Sequence, residues 1–163
     1  MPVTQQLLRT SPGKASVAAQ QLPALEDMLS LRISTEEELL DADWSPRLLE
    51  QVFIALGRND LALVVSEAIE GEDVLNPAHP CGGNDPVYSE VRLNDHARVR
   101  EIAAALLEIP LELLSRASPQ LLQETSVSLP DDFRNYLLDH ASRIIKFYGR
   151  AAAAGQVVVT WWD

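Results

Sequence analysis

The residues best suited to nucleophilic chemistry lie together in one segment, from His79 to Asp85 (HPCGGND). A thiolate activated by an imidazole is a nucleophile that hydrolases use, and Cys81 is the only cysteine in the sequence. A catalytic Cys–His pair normally converges from separate elements of a fold, whereas here only Pro80 separates the two residues. The surrounding Pro and Gly residues are typical of turns. The segment is therefore interpreted as a loop, and no catalytic residue is predicted.

Histidine and glycine patterns do not indicate a metal or cofactor site. His79, His96 and His140 lie in three distant segments, without the His-x-x-x-His or Cys-x-x-Cys spacing of metal ligands. The pair Gly82-Gly83 is followed by neither Lys-Ser nor Lys-Thr. The segment after this pair has a strand pattern, whereas phosphate-binding loops lead into a helix. We therefore predict a protein without a metal or a cofactor.

Acidic side chains outnumber basic side chains in this sequence. It contains 24 Asp and Glu residues against 13 Lys and Arg, and its formal net charge is −11. Nucleic-acid binding is disfavoured, because phosphate contacts need clustered Lys and Arg. A negative surface keeps a protein soluble, and it also steers a basic partner towards that surface. Two acidic segments supply the predicted partner-binding residues, which are Glu36, Glu37, Glu38, Asp41 and Asp43 in the first and Glu70, Glu72, Asp73 and Asp85 in the second.

The two acidic segments are expected to have different backbones. The first is predicted to start a short helix, because Thr35 and Glu38 have the spacing of a capping box. The second lies in residues 70 to 85, a stretch with three Gly and two Pro that predicts a long surface loop. We favour the loop as the contact surface, because its irregular backbone exposes polar groups and can reach into a concave site.

Helices and one central strand are predicted before the C-terminal region. Ser-Pro pairs begin at Ser11, Ser45 and Ser118, as expected where Ser caps a helix and Pro occupies its first turn. Residues 60 to 69 suit a helix, with a strand as the alternative. Residues 86 to 93 alternate in the manner of a strand, and a helix follows them.

The C-terminal region carries the clearest structural signal. A helix is predicted from about residue 129 to 154, with Ser128 and Asp131 as its capping box and Gly155 as its end. Its apolar stripe consists of Phe133, Leu137, Ala141, Ile144, Tyr148 and Ala151. Residues 156 to 162 (QVVVTWW) then form a predicted strand in which alternation buries one of the two tryptophans.

Strands separated by helices favour an α/β fold, with α+β as the alternative. The expected architecture is a small central sheet of three to five strands packed by several helices, with a long C-terminal helix followed by a C-terminal strand. A length of 163 residues fits a single domain, from 1 to 163. The sequence has no signal-peptide pattern, no apolar run of membrane-spanning length and only one cysteine, so we predict a cytoplasmic protein that does not bind membranes.

Four segments have the residue types and order of a known bacterial family. They are residues 40 to 44 (LDADW), 61 to 71 (LALVVSEAIEG), 99 to 106 (VREIAAAL) and 145 to 152 (IKFYGRAA), the last followed by Gly155 and a valine-rich strand. On these segments the chain resembles the YfbM-like family, domain of unknown function 1877, over residues 40 to 163. Family members start with a strand that contains Gly and aromatic residues, which residues 1 to 5 (MPVTQ) lack. The resemblance implies an α/β sandwich and transfers no catalytic residues.

Three function hypotheses follow. The first is a non-catalytic binding protein, specifically a cytoplasmic immunity protein that neutralises a bacterial toxin by occluding its active site. The second is an enzyme or small-ligand-binding protein with a pocket between sheet and helices, in which Tyr88, Tyr136 or Tyr148 and acidic side chains supply polar groups. A deep cleft with a carboxylate beside a His or Tyr would favour it. The third is a structural or regulatory interaction module without a toxin partner.

Overall fold

One antiparallel sheet of five strands lies at the centre of the structure. The structure is a computed structural model, and it describes residues 3–30, 37–75, 90–122 and 129–163. The strands are β1 (Gln5–Thr10), β2 (Leu39–Asp43), β3 (Asp73–Val74), β4 (Arg92–Asn94) and β5 (Val157–Trp162). Their order across the sheet is β2-β1-β5-β4-β3. The central strand β5 consists mainly of β-branched and aromatic residues, which suit a strand that is covered on both faces.

Helices cover both faces of this sheet. The described residues form two short 3₁₀ helices (Leu111–Arg116 and Pro119–Leu121) and six α-helices, which are α1 (Pro12–Gln20), α2 (Leu22–Leu29), α3 (Ser45–Ala55), α4 (Asn59–Glu70), α5 (His96–Leu107) and α6 (Phe133–Ala153). Helices α1 and α2 pack on the face that contains Leu8 and Val159. Helices α3 to α6 build a larger core on the face that contains Leu7 and Val158. The layers follow from strand alternation, because successive side chains point to opposite faces.

The C-terminal prediction is confirmed in its main features. All six residues of the predicted apolar stripe of α6 are buried. Gly155 ends the helix with the two backbone hydrogen bonds of a Schellman motif, and β5 follows at Val157. Trp161 is buried and Trp162 is half-buried, as strand alternation predicts. The predicted α/β architecture, with a long C-terminal helix and a C-terminal strand, is therefore observed.

Helix α6 nevertheless begins later than predicted. The segment before it contains Pro130, and the residue before a proline is disfavoured in a helix. The cap is Asp132, whose side chain accepts a hydrogen bond from the backbone N–H of Asn135 at 3.4 Å. The capping-box role predicted for Asp131 is therefore wrong, because Asp131 lies before the cap residue. The other predicted member of the box, Ser128, lies outside the described residues.

The helix predicted for the first acidic segment is wrong over the described residues 37 to 43, because Leu39–Asp43 forms strand β2. It pairs with β1 at Leu7 and Leu8, and it buries Leu40 and Ala42 under the helices α3 to α6. A capping signal expresses only a local preference, and apolar burial in the sheet outweighs it. Glu36 lies outside the described residues.

The loop predicted for residues 70 to 85 is wrong in its first part. Glu70 is the last residue of α4, and Asp73 belongs to the edge strand β3. The backbone N–H of Glu72 donates to the carbonyl of Leu93 at 2.9 Å. This stretch therefore satisfies its backbone groups by pairing with β4, which the turn-forming composition does not reveal. Asp85, like the Cys and His of the same segment, lies outside the described residues.

Three smaller expectations are also resolved. Ser45 does not cap α3, because its buried hydroxyl donates to the carbonyl of Ala42 at 2.6 Å. Residues 60 to 69 are helical, as part of α4. The strand predicted over 86 to 93 is observed as the shorter β4, and residues 86 to 89 lie outside the described residues.

Candidate functional site

The sheet separates the predicted partner-binding residues into groups at its two ends. Asp43 is the last residue of β2 and lies opposite Gln5, which on its other side pairs with Trp162. Glu37 and Glu38 lie at the other end of β2, where their backbone carbonyls accept hydrogen bonds from Arg9 at 2.7 Å and 2.9 Å. Five residues of strand place the two groups about 16 Å apart. They cannot act as a single point of contact.

A β-bulge turns Asp43 towards the helices. The pairing of β1 with β2 shifts between Gln5 and Gln6, so that one extra residue stands in β2. Asp43 itself has φ 54°, a left-handed conformation that costs about 1–3 kcal/mol in a residue other than Gly. Its backbone N–H donates to Oδ1 of Asp41 at 2.9 Å. Its own Oδ2 accepts a hydrogen bond from the hydroxyl of Tyr136 at 2.8 Å.

Asp43, Tyr136 and His140 form a row of carboxylate, phenol and imidazole. The rings of Tyr136 and His140 lie 4.4 Å apart, and Nδ1 of His140 is buried without a partner among the described residues. Burial, followed by the hydrogen bond to Asp43, raises the pKa of Tyr136 above its ordinary value. Burial, followed by the charge of Arg143, lowers the pKa of His140. These shifts favour the neutral forms of Tyr136 and His140.

The other tyrosines named above do not join this row. Tyr148 is fully buried, where its hydroxyl donates to the carbonyl of Ala68 and accepts a hydrogen bond from Asn94 at 3.2 Å. These bonds tie α6 to α4 and β4, so the role of Tyr148 is structural. Tyr88 lies outside the described residues.

A cleft of about 390 Å³ opens at the sheet end that carries Asp43, beside the C-terminal end of α4. We call it the Arg47–Arg92 cleft, and its lining comprises Gln5, Arg47, Ile69, Glu70, Gly71, Glu90, Arg92, Thr160, Trp161 and Trp162. Nη1 of Arg47 contacts Glu50 at 3.2 Å and Glu70 at 3.3 Å. Nη1 of Arg92 contacts Glu90 at 3.1 Å, and its other nitrogens donate to two backbone carbonyls. Both guanidinium groups therefore already have acidic partners.

Gln5 lines this cleft with an amide that is only partly satisfied. The side chain is 1% exposed, and its Nε2 donates to the carbonyls of Trp161 at 3.1 Å and Ile69 at 3.4 Å. Its Oε1 is buried and has no partner among the described residues. Buried polar side-chain atoms are usually hydrogen-bonded, so this oxygen requires an explanation. The sequence predictions missed Gln5, although a glutamine beside the apolar Leu7 and Leu8 is a detectable signal.

A second cleft of about 430 Å³ lies between β1 and the helices α1 and α2. We call it the Lys14 cleft, and its lining comprises Leu8, Arg9, Thr10, Gly13, Lys14, Val17, Ala24, Asp27, Met28 and Glu38. Lys14 is exposed and forms no ion pair with the part of the chain that the structure describes. Neither cleft is lined by Asp43, Tyr136 or His140.

The described residues contain neither a metal-binding cluster nor a helix that could span a membrane. Across residues 3–30, 37–75, 90–122 and 129–163, no three His, Cys, Asp or Glu side chains are grouped so that they could hold a metal ion. In the same ranges, no helix has both the length and the apolar character needed to cross a membrane.

The fold is an α/β architecture, with an antiparallel sheet covered by helices on both faces and a C-terminal region that consists of a long helix followed by a strand. The chain belongs to the family described as "Domain of unknown function (DUF1877)", whose model matches residues 7–161. It is similar to YfbM from Escherichia coli, a protein of unknown function with a crystal structure. The two chains are 18% identical, with a TM-score of 0.62 over 98% of this chain and 99% of that chain. At this identity the likeness shows a shared fold. No curated protein sequence matches the chain.

Proposed function

We propose that the protein is a non-catalytic binding protein that docks a basic partner protein at one end of its sheet. This surface, the acidic sheet end, consists of Asp41, Asp43, Trp44, Glu70 and Trp162. The rings of Trp44 and Trp162 lie 5.2 Å apart and both are half-buried. An aromatic centre with a charged rim is the arrangement that protein interfaces use, and it is the observation that carries the proposal.

The particular form that we propose is a cytoplasmic immunity protein, which neutralises a bacterial toxin by covering the toxin's active site. A net charge of −11 supports this form, because complementary charge raises the association rate with a basic partner. Inhibition by occlusion needs a rigid surface and no catalytic residue. The carboxylates of the acidic sheet end stand on strand β2 and helix α4, which supply that rigidity.

The first test uses the product of the adjacent reading frame. If that product is toxic when expressed alone, co-expression of this protein should restore growth, and the purified pair should bind. Growth that is not restored would contradict the immunity role.

The second test measures the association rate of this pair against ionic strength. Asp41→Asn and Glu70→Gln combined should slow association and make its salt dependence shallower, because two exposed charges of the acidic sheet end are lost. The asparagine at position 41 keeps the oxygen that accepts from Asp43, so folding should not change. The control combines Glu26→Gln and Glu108→Gln, which remove equal charge from exposed sites elsewhere. Equal salt slopes for both double variants would show that these carboxylates do not face the partner.

A small-ligand-binding protein or enzyme is the second candidate, and the Lys14 cleft favours it. Its volume falls in the usual range of ligand sites, which is about 300–1,000 Å³. It lies between sheet and helices, with the apolar side chains of Leu8, Val17 and Met28 beside the charge of Lys14. Ligand-induced shifts of the NMR signals of Lys14 and Met28 would favour this function over partner docking.

A further inference from the structure

We propose that the outer edge of β2 receives an extended, basic segment of the partner protein as an additional antiparallel strand of the sheet. The proposal rests on the proposed function, because β2 carries Asp41 and Asp43 of the acidic sheet end. It adds the mode of recognition, which the surface charge by itself leaves undefined.

Among the described residues, strand β2 is paired on one side only, because it stands at the end of the strand order β2-β1-β5-β4-β3. The backbone N–H of Arg9 in β1 donates to the carbonyl of Glu38 at 2.9 Å. Hydrogen-bonded and non-hydrogen-bonded pairs alternate along an antiparallel ladder. The backbone groups of Glu38 and Leu40 therefore point towards β1, whereas the N–H and C=O groups of Leu39 and Asp41 point to the outer edge.

The pairing of β1 with β5 supports this assignment. Thr4 and Asp163 exchange both of their backbone hydrogen bonds, at 2.7 Å and 3.0 Å. The same alternation then turns the backbone groups of Leu7 away from β5 and towards β2. Within the part of the chain that the structure describes, no backbone group bonds to the outward N–H and C=O of Leu39 and Asp41. The edge of β2 therefore offers donors and acceptors at strand spacing, which is the template that strand addition uses.

Strand alternation and charge define the sequence that this edge accepts. Asp41 is exposed and shares a sheet face with Leu39, whereas Leu40 and Ala42 are buried on the opposite face. A residue directly opposite Asp41 on an added strand has its Cβ about 5 Å away, and opposite charges at this spacing stabilise a sheet. The partner segment therefore alternates Lys or Arg, on the face of Asp41, with apolar residues that continue the face of Leu40 and Ala42.

A basic strand is favoured over a second copy of β2. Two copies of β2 paired antiparallel about Asp41 would place this carboxylate against its own counterpart, and like charges directly opposite each other destabilise a sheet. The net charge of −11 also opposes association of two copies of the chain.

The first experiment measures amide hydrogen exchange of the isolated protein by NMR, with the peptide acetyl-Lys-Val-Lys-Val-Lys-amide as the probe. In the free protein, the amides of Leu39 and Asp41 should exchange faster than the amide of Leu40, which donates to β1. The peptide should slow exchange at Leu39 and Asp41, and its counterpart with glutamate in place of lysine should not. Unchanged exchange at these two amides, with the lysine peptide at its solubility limit, would overturn the proposal.

The second experiment compares Asp41→Pro with Asp41→Ala. Both variants lose the carboxylate and its hydrogen bond from the backbone of Asp43, but only proline also lacks the outward N–H. Both should remain folded by circular dichroism, because this N–H does not bond to β1. Asp41→Pro should bind the lysine peptide about tenfold more weakly than Asp41→Ala, because it loses a main-chain hydrogen bond and its ring obstructs the edge.

Equal affinity of the two folded variants would show that the peptide does not pair with the edge of β2, and the proposal would be wrong. If Asp41→Pro does not fold, the exchange measurement on the wild type decides the question by itself.

These results can be separated from a failure of the proposed function. If the peptide leaves the amides of Leu39 and Asp41 unprotected while the Asp41→Asn and Glu70→Gln double variant still slows partner association, strand addition is wrong and the docking function stands. If the peptide protects these amides but no basic partner associates in a salt-dependent manner, strand addition stands and the docking function is wrong.

Discussion

Replacement of Gly71 by alanine tests the close packing beside the Arg47–Arg92 cleft. Gly71 follows α4 with φ +63°, and a Cβ built on it would lie 2.8 Å from Cβ of Arg92 and 3.0 Å from the backbone nitrogen of Leu93. Gly57 is the control for alanine at a positive φ. It has φ +72°, but a Cβ there would have no described atom within 4 Å.

Both variants place alanine at a positive φ and restrict the unfolded chain equally, but the two native backbones differ. Gly57→Ala should lose about 1 kcal/mol of unfolding free energy. Gly71 combines φ 63° with ψ 152°, a backbone region that is essentially confined to glycine and that costs alanine about 1–3 kcal/mol. Gly71→Ala must also displace β4, and overpacking of this kind costs about 1–3 kcal/mol more.

The unfolding free energies of wild type and both variants are measured by urea titration. Gly71→Ala should be the less stable variant, and the amide of Glu72 should exchange faster, because it donates to Leu93 across the displaced contact. If the two variants lose equal stability, the close approach between Gly71 and β4 does not exist and the reasoning is refuted.

Two further predictions concern α6. Burial lowers the pKa of His140, so the folded protein favours the neutral imidazole. The stability that this neutral imidazole contributes should be complete above the ordinary pKa of histidine, and it should be lost as the pH falls through the lowered pKa. Urea midpoints measured against pH should show this loss in the wild type and not in His140→Gln. Ile144→Asp should unfold the protein, because Ile144 is 3% exposed and an unpaired buried charge costs several kcal/mol. Lys146→Asp, at an exposed site on the same helix, should remain folded by circular dichroism, and a cooperatively folded Ile144→Asp variant would contradict the packing of α6.

The parts of the fold that were predictable are those with local causes. The stripe of α6 repeats at helical spacing, and Gly155 ends the helix through bonds within a few residues of itself. The valine run of β5 is similarly local. The failures in β2 and β3 have the opposite cause, because their pairing with β1 and β4 overrides local composition. Thr35 and Glu38 have the spacing of a helix capping box, but burial of Leu40 in the sheet contributes more to stability than this local helix preference.

The candidate site was less predictable than the fold, because its residues come from distant parts of the chain. Net charge, the acidic segments and the family resemblance are properties of the sequence itself, and they suffice for the family and for the expectation of a basic partner. The sequence could not show that Asp43 meets Tyr136, 93 positions away, or that Gln5 meets Trp161, 156 positions away. Those contacts exist because a one-residue bulge and the strand order β2-β1-β5 bring the ends of the chain together. Composition and periodicity determine which residues are buried, whereas only the pairing of strands decides which polar groups meet.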